Sequence, residues 1–423
     1  MRKIGILAGA AIILISAPIL AQGATKSVAQ IPMTKVATLS SSTQVVGMVV
    51  RGKTIYLIGT VTGVVSTDGF IQALDSNGTV QWSVPLDNGS NEVATAAAFD
   101  SAGNLWVAGS AQTTNTIPSP IPVDTATATP SPTPSPTSPT STILNPDGVG
   151  IVALIPMRPD LISLALWKIS PSGTLLARYT TDLGSAFFAR GLTISSNAIA
   201  VVGSISTTSG IAGLLIQADL HGNFGMPLVV GNVDTQLVAL TRKSDGSLLL
   251  LGSSSETIAK QGRKGIKDGI IVAVSPAGKI TSLVRSSNTA STRWWLSGTN
   301  SLFLGGVAIG KTKTEAVVTK FGSTLIPSWT RRYDSSGPGL TADSPTSHFL
   351  LFPSVGAIAG VKGWKPRKAS ALTLSLDSKG VLIGAYGAAA IENPMAIGYS
   401  RDLGLVVLGQ GPAGVSVFRT LPR

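Results

Sequence analysis

The chain has 423 residues and a formal charge of +12, with 47 glycines, 25 prolines and only 12% charged side chains. So many turn formers and so little charge exclude a helical bundle and favour many short strands joined by tight turns, to which the abundant Val, Ser and Thr are suited. With no cysteine, disulfides, thiolate metal sites and a thiol nucleophile are excluded as well.

The first residues read as an export signal, expected to span residues 1–23. Arg2 and Lys3 precede an uncharged apolar run of 17 residues, Ile4 to Leu20, and Ala21-Gln22-Gly23-Ala24 offers small residues at a cleavage site. A run of that length also suits an uncleaved membrane anchor, and either reading places the rest of the chain outside the cytoplasm. Net charge falls by two if Arg2 and Lys3 are removed. It stays strongly positive, which favours an anionic partner other than nucleic acid in an exported protein.

Thr34 to Leu39 forms an isolated strand ahead of a repeat. An apolar strand ending in glycine recurs seven times: Ile55-Tyr56-Leu57-Ile58-Gly59, Leu105-Trp106-Val107-Ala108-Gly109, Ile199-Ala200-Val201-Val202-Gly203, Leu248-Leu249-Leu250-Leu251-Gly252, Leu302-Phe303-Leu304-Gly305, Ala357-Ile358-Ala359-Gly360 and Leu405-Val406-Val407-Leu408-Gly409. The glycines are spaced by 50, 94, 49, 53, 55 and 49 residues. Each copy has an apolar strand before it, and most have a third strand, a turn such as Asp75-Ser76-Asn77-Gly78, and a fourth strand after it. Four antiparallel strands per unit of about fifty residues is the pattern of a β-propeller. The expected fold is therefore an all-β, seven-bladed propeller over residues 34–423. The seventh unit ends after its third strand, Val415 to Thr420, and Thr34 to Leu39 is expected to complete it and close the ring.

The long interval contains a Pro/Ser/Thr-rich stretch, residues 117–145, which cannot enter a ladder and is expected to be a disordered insertion between the second and third strands of blade two. Leu164 to Ile169 continues that blade.

Gly69-Phe70-Ile71-Gln72-Ala73-Leu74-Asp75-Ser76-Asn77-Gly78-Thr79-Val80-Gln81-Trp82 resembles the repeat of quinoprotein-like (PQQ-like) propellers, and Asp100 to Ser110 resembles short repeats of exported bacterial propellers. The resemblance implies a propeller fold. Quinoprotein dehydrogenases hold their cofactor with a vicinal Cys pair and a calcium site; this chain has no Cys and no matching acidic cluster, so no cofactor and no metal is expected.

His221 falls in a turn. His348 is placed on or just before the inner strand of blade six, but two histidines so far apart make no zinc site. Asp68 and Asp268 occupy equivalent positions before Gly at the start of a third strand and read as turn chemistry. Trp82 and Trp329 are expected to fill gaps between neighbouring blades, while one indole of Trp294-Trp295 is expected to face the channel or the next blade. No catalytic residue is assigned.

The remaining feature is basic. Between residues 260 and 368 there are 16 Lys or Arg against four acidic residues. Alignment of the blades puts Lys260, Arg263, Lys264 and Lys267, then Lys311 and Lys313, then Lys362, Lys365, Arg367 and Lys368, in equivalent loops of blades four to six, on one rim, with Trp364 beside them. The first expectation is a non-enzymatic envelope-binding or scaffold protein presenting this rim to an anionic envelope polymer, lipid headgroup or acidic protein. The alternatives are a propeller enzyme working at the channel mouth, either a glycan-active hydrolase or lyase or a quinoprotein-like oxidoreductase, and a structural spacer.

Overall fold

The computed structural model describes residues 27–39, 43–63, 66–113, 158–287 and 289–421, whose regular structure is all β-strand. Blade one comprises Thr43–Arg51, Thr54–Thr62, Thr67–Leu74 and Val80–Leu86, and blade two Glu92–Phe99, Leu105–Ala111, Ser163–Ile169 and Leu175–Asp182. Blade three comprises Phe187–Ile194, Ala198–Ser206, Ile211–Asp219 and Leu228–Val230, and blade four Thr235–Arg242, Leu248–Ser254, Asp268–Val274 and Ile280–Ser286. Thr292–Gly298, Phe303–Ile309, Thr314–Phe321 and Pro327–Asp334 form blade five. The closing blade is Asn393–Ser400, Gly404–Gly411 and Gly414–Arg419, with Thr34–Thr38 added at its edge.

These are the four-stranded antiparallel blades of a β-propeller, and there are six of them rather than seven. The sheet between blade five and the closing blade is six-stranded. Leu340–Asp343, His348–Ser354, Ser370–Leu376 and Leu382–Ala388 run antiparallel, and Val28–Pro32 adds in parallel at the outer edge through Gln30↔Ala385 and Ile31↔Tyr386. Val28 also pairs with Val361 of the two-residue strand Val361–Lys362. The N-terminal segment thus covers two successive sheet edges. After the buried Met33, Thr34–Thr38 pairs antiparallel with the last strand, from Thr34↔Arg419 to Thr38↔Ser416, which satisfies backbone groups that an open edge would leave unpaired.

The recurring glycine has a steric cause. Where the first strand of a blade carries a β-bulge, its backbone presses against the second strand, and a Cβ on Gly109, Gly203 or Gly252 would meet a first-strand carbonyl oxygen at 2.1, 2.2 or 1.8 Å; in blade five that place belongs to Gly306, at 1.9 Å, one residue beyond the expected Gly305. The six-stranded sheet has no bulge in its short first strand, and Phe352 takes the glycine's place. Ala357–Gly360, expected as the sixth copy of the repeat, lies outside any strand. His348 accordingly sits on the second strand of this sheet rather than the inner one, where its Nδ1 bonds Asp343 Oδ1 at 2.7 Å and its ring stacks on Phe303.

Apolar layers between neighbouring sheets form the core, as where Ile58 and Ile71 of blade one pack with Val107 and Trp167 of blade two. Trp82, Tyr179 and Trp329 lie over Gly173, Gly222 and Gly380, turn glycines of the following sheet with φ of 85°, 82° and 78°. A side chain at those turns would be strained and would strike the ring. Trp294 and Trp295 are both buried. In blade two, Leu105–Ala111 pairs with Ser163–Ile169 in unbroken register; the 117–145 insertion and residues 1–23 lie outside the described residues.

Candidate functional site: one face of the blades

Antiparallel strands reverse direction at every turn, so the loop between the second and third strands of each blade emerges on the same face as the connection into the next blade. Hydrogen bonds join these two sets of loops. Thr67 N–H donates to Asn91 Oδ1 at 2.9 Å between blades one and two, and Arg293 N–H donates to the Lys267 carbonyl at 2.9 Å between blades four and five.

The expected rim occupies this face from blade four to the six-stranded sheet. Lys260, Arg263, Lys264, Lys311, Lys313, Lys362, Lys365, Arg367 and Lys368 are exposed. Lys260 is held at a turn tip, where Ile258 and Gln261 bond across Ala259 and Lys260, whose φ values are 49° and 64°. Three members of the rim have carboxylate partners: Lys267 with Asp234, Lys313 with Glu315 and Asp334, and Lys368 with Glu392. The other seven make no ion pair among the described residues. Glu256, the acid nearest Lys260 in sequence, is occupied by the backbone N–H groups of Asn232, Val233 and Asp234 and by Thr235 Oγ1.

Trp364 departs from expectation. Its indole is buried, donates from Nε1 to Ser354 Oγ at 3.2 Å, and packs against Gly387, so it belongs to the core of the six-stranded sheet rather than to an exposed surface.

Two hundred residues apart, Asp68 and Asp268 open the third strands of blades one and four in the same register, and they do more than shape a turn. Asp268 is fully buried. It accepts N–H bonds from Lys264 and Gly265 at 3.0 and 2.9 Å, and faces Arg285 Nη1 at 3.4 Å. Blade five repeats the device with Glu315, which pairs with Arg332 Nη1 at 3.2 Å and Lys313 Nζ at 2.8 Å. Arg285 and Arg332 hold the same fourth-strand position, opposite Ile270 and Val317; in blade one it is Pro85, opposite Phe70.

Asp68 meets acids instead of arginine. One carboxylate oxygen from each of Asp68, Asp87 and Glu92 lies within 4.8 Å of the other two. Glu92 opens the first strand of blade two and is fully buried. Its Oε1 accepts from Ser90 Oγ at 3.2 Å and faces Arg178 Nη2 at 3.4 Å, while its Oε2 and the buried Asp68 Oδ1 have no hydrogen-bond partner. Burial pushes the Glu92 carboxyl up to about 7 although Arg178 draws it down. Asp87 and Glu92 were missed in the sequence; the signal was the oxygen-rich run Asp87-Asn88-Gly89-Ser90-Asn91-Glu92, which joins two blades.

On the first strands, the bulges fall at Val46, Thr95, Arg190, Val238, Leu296 and Met395. Arg190 is the charged member of this ring, its guanidinium 4.5 Å over Phe188 and its pKa lowered by burial.

No family model and no curated protein matches the chain. Among solved structures it is similar to a protein of unknown function from Dyadobacter fermentans, at 9% identity over 94% of this chain and 100% of that one, with a TM-score of 0.47. It is also similar to the β-propeller domain of the Trilobed protease from Pyrococcus furiosus, at 7% identity over 91% of this chain and 97% of that one, with a TM-score of 0.43. A third likeness is to an acylaminoacyl peptidase from Pyrococcus horikoshii, at 8% identity over 90% of this chain and 52% of that one, with a TM-score of 0.44. The strand pairing itself identifies the propeller.

Proposed function

We propose that the protein is an exported binding or scaffold protein of the cell envelope that presents the basic sector of its loop face to an anionic partner. The observation that carries this reading is the set of seven exposed cations, Lys260, Arg263, Lys264, Lys311, Lys362, Lys365 and Arg367, on one face of three successive sheets, none in an ion pair among the described residues. A single-sign patch of this kind raises the local concentration of a polyanion and speeds its encounter. The apolar run at Ile4 to Leu20 supports export, and the repeat-level likeness to quinoprotein-like propellers fits an exported ring.

The test is cosedimentation of the mature chain with isolated envelopes at low and high salt, since exposed charges are screened within about 10 Å at 0.1 M salt. Binding at low salt, loss at high salt, and loss in a variant with Lys362, Lys365, Arg367 and Lys368 changed to Ser would uphold the reading. Wild-type binding by that variant, or no sedimentation at either salt, would end it.

We further infer that the six-stranded sheet serves as the seventh blade and that Thr34–Thr38 closes the ring. Deleting residues 27–39 should then lower the melting temperature by about 10 °C or more, because it opens two sheet edges at once. An unchanged melting curve would refute the closure.

A further inference from the structure

We propose that Asp68, Asp87 and Glu92 form a binding site for a hard divalent cation, with Ca2+ the preferred ion. Three observations support the site.

The first is geometric. Ca2+ binds oxygens at about 2.3–2.6 Å, so two donors of one ion lie up to about 5 Å apart, whereas Mg2+ at about 2.1 Å holds its donors within about 4.2 Å. The three carboxylates offer oxygens within 4.8 Å of one another, a span that Ca2+ can bridge at its own bond lengths. Asp87 lies on the loop between two blades, while Asp68 and Glu92 stand at the beginnings of strands beside it, so one of the three ligands can adapt to the irregular coordination of Ca2+.

The second observation is the orphaned oxygen. Glu92 is fully buried, yet its Oε2 has no hydrogen-bond partner, and the buried Oδ1 of Asp68 has none either. Two buried carboxylate oxygens without donors beside a third carboxylate are costly unless a cation compensates them. Arg178 lies 3.4 Å from the other oxygen, Oε1, and so leaves Oε2 without a donor.

The third comes from the repeat itself. In blade five, Glu315 and Asp334 occupy the register positions of Asp68 and Asp87, and there the chain provides the cation. Lys313 Nζ lies 2.8 Å from Glu315 and 3.5 Å from Asp334, with Arg332 on the far oxygen of Glu315. Blade one keeps both acids, adds Glu92 from the next blade, and has Ser66 and Pro85 where blade five has Lys313 and Arg332. The positive charge built into one blade is missing from the other.

The test is titration of the EDTA-stripped chain with CaCl2, followed by calorimetry and by thermal melting. The expected result is a single site and a melting temperature raised by about 3 °C or more at saturation. MgCl2 should bind more weakly. Asp87 is exposed, so Asp87→Asn should leave the fold intact while weakening Ca2+ at least tenfold. Pro85→Arg, on an exposed strand position, should restore the missing cation and abolish the Ca2+ response. The proposal is overturned if Ca2+ gives neither heat nor a shift, if Asp87→Asn binds as the wild type does, or if Mg2+ binds as tightly as Ca2+.

Discussion

Blades one and five place two carboxylates at the same pair of register positions on the loop face, and their surroundings differ in sign. In blade five, Glu315 and Asp334 are bridged by Lys313 and flanked by Arg332. In blade one, Asp68 and Asp87 have Ser66 and Pro85 in those places and gain Glu92 as a third acid. The first strand of the following blade reverses in parallel: Glu92 opens that of blade two, and Arg293 holds its register position beside blade four. The two halves of one face thus differ in charge although the strands beneath them are alike. A repeat fixes where a side chain stands while leaving its chemistry free, and this face uses that freedom to become acidic at blades one and two and basic from blade four onward.

The largest effect should come from removing a built-in cation. Arg285→Ala would leave the fully buried Asp268 with only its two backbone N–H donors, and breaking a buried pair from one side costs about 3 kcal/mol. Urea denaturation should show that loss. A cost under about 1 kcal/mol would mean the backbone donors alone stabilise Asp268, and the contrast with Asp68 would lose its force.

The blade pattern was legible in the sequence because sterics wrote it there. Bulged first strands exclude a side chain from the facing position, so glycine recurs at Gly59, Gly109, Gly203, Gly252 and Gly409. The same logic explains the failure at Ala357–Gly360, where a glycine in a connecting loop imitated the pattern while the true strand carried Phe352. Val28–Pro32 escaped notice because a short strand added in parallel at an edge needs no strong apolar alternation. The basic loops were visible as a charge run, but Trp364 was not separable from them, since burial of one indole among lysines depends on how the chain folds back onto Ser354 and Gly387, in strands on either side of the loop. The acidic pocket was hidden for a similar reason: Asp68 and Glu92 are 24 residues apart and meet only because two blades adjoin.

Smaller effects sharpen the contrast from the other side. Glu92→Gln removes a buried negative charge from among acids, so in EDTA it should raise stability by about 1 kcal/mol, as read from chemical denaturation; a loss of that size would mean that Arg178 already compensates the pocket. The smallest change is expected for Lys313→Ala. Its side chain is 58% exposed, its partner Asp334 is 68% exposed, and its other partner Glu315, though only 13% exposed, keeps Arg332, so the cost should stay within about 1 kcal/mol. That variant nevertheless turns blade five toward blade one, leaving two acids with Arg332 on one of them. If an unfilled carboxylate pair is what recruits a cation, Lys313→Ala should acquire a weak Ca2+ response by thermal melting that the wild-type blade five lacks, detectable in an Asp87→Asn background where the first site is silenced. No response there would show that the buried third carboxylate, Glu92, is indispensable, and that the pair alone is an ordinary solvated surface.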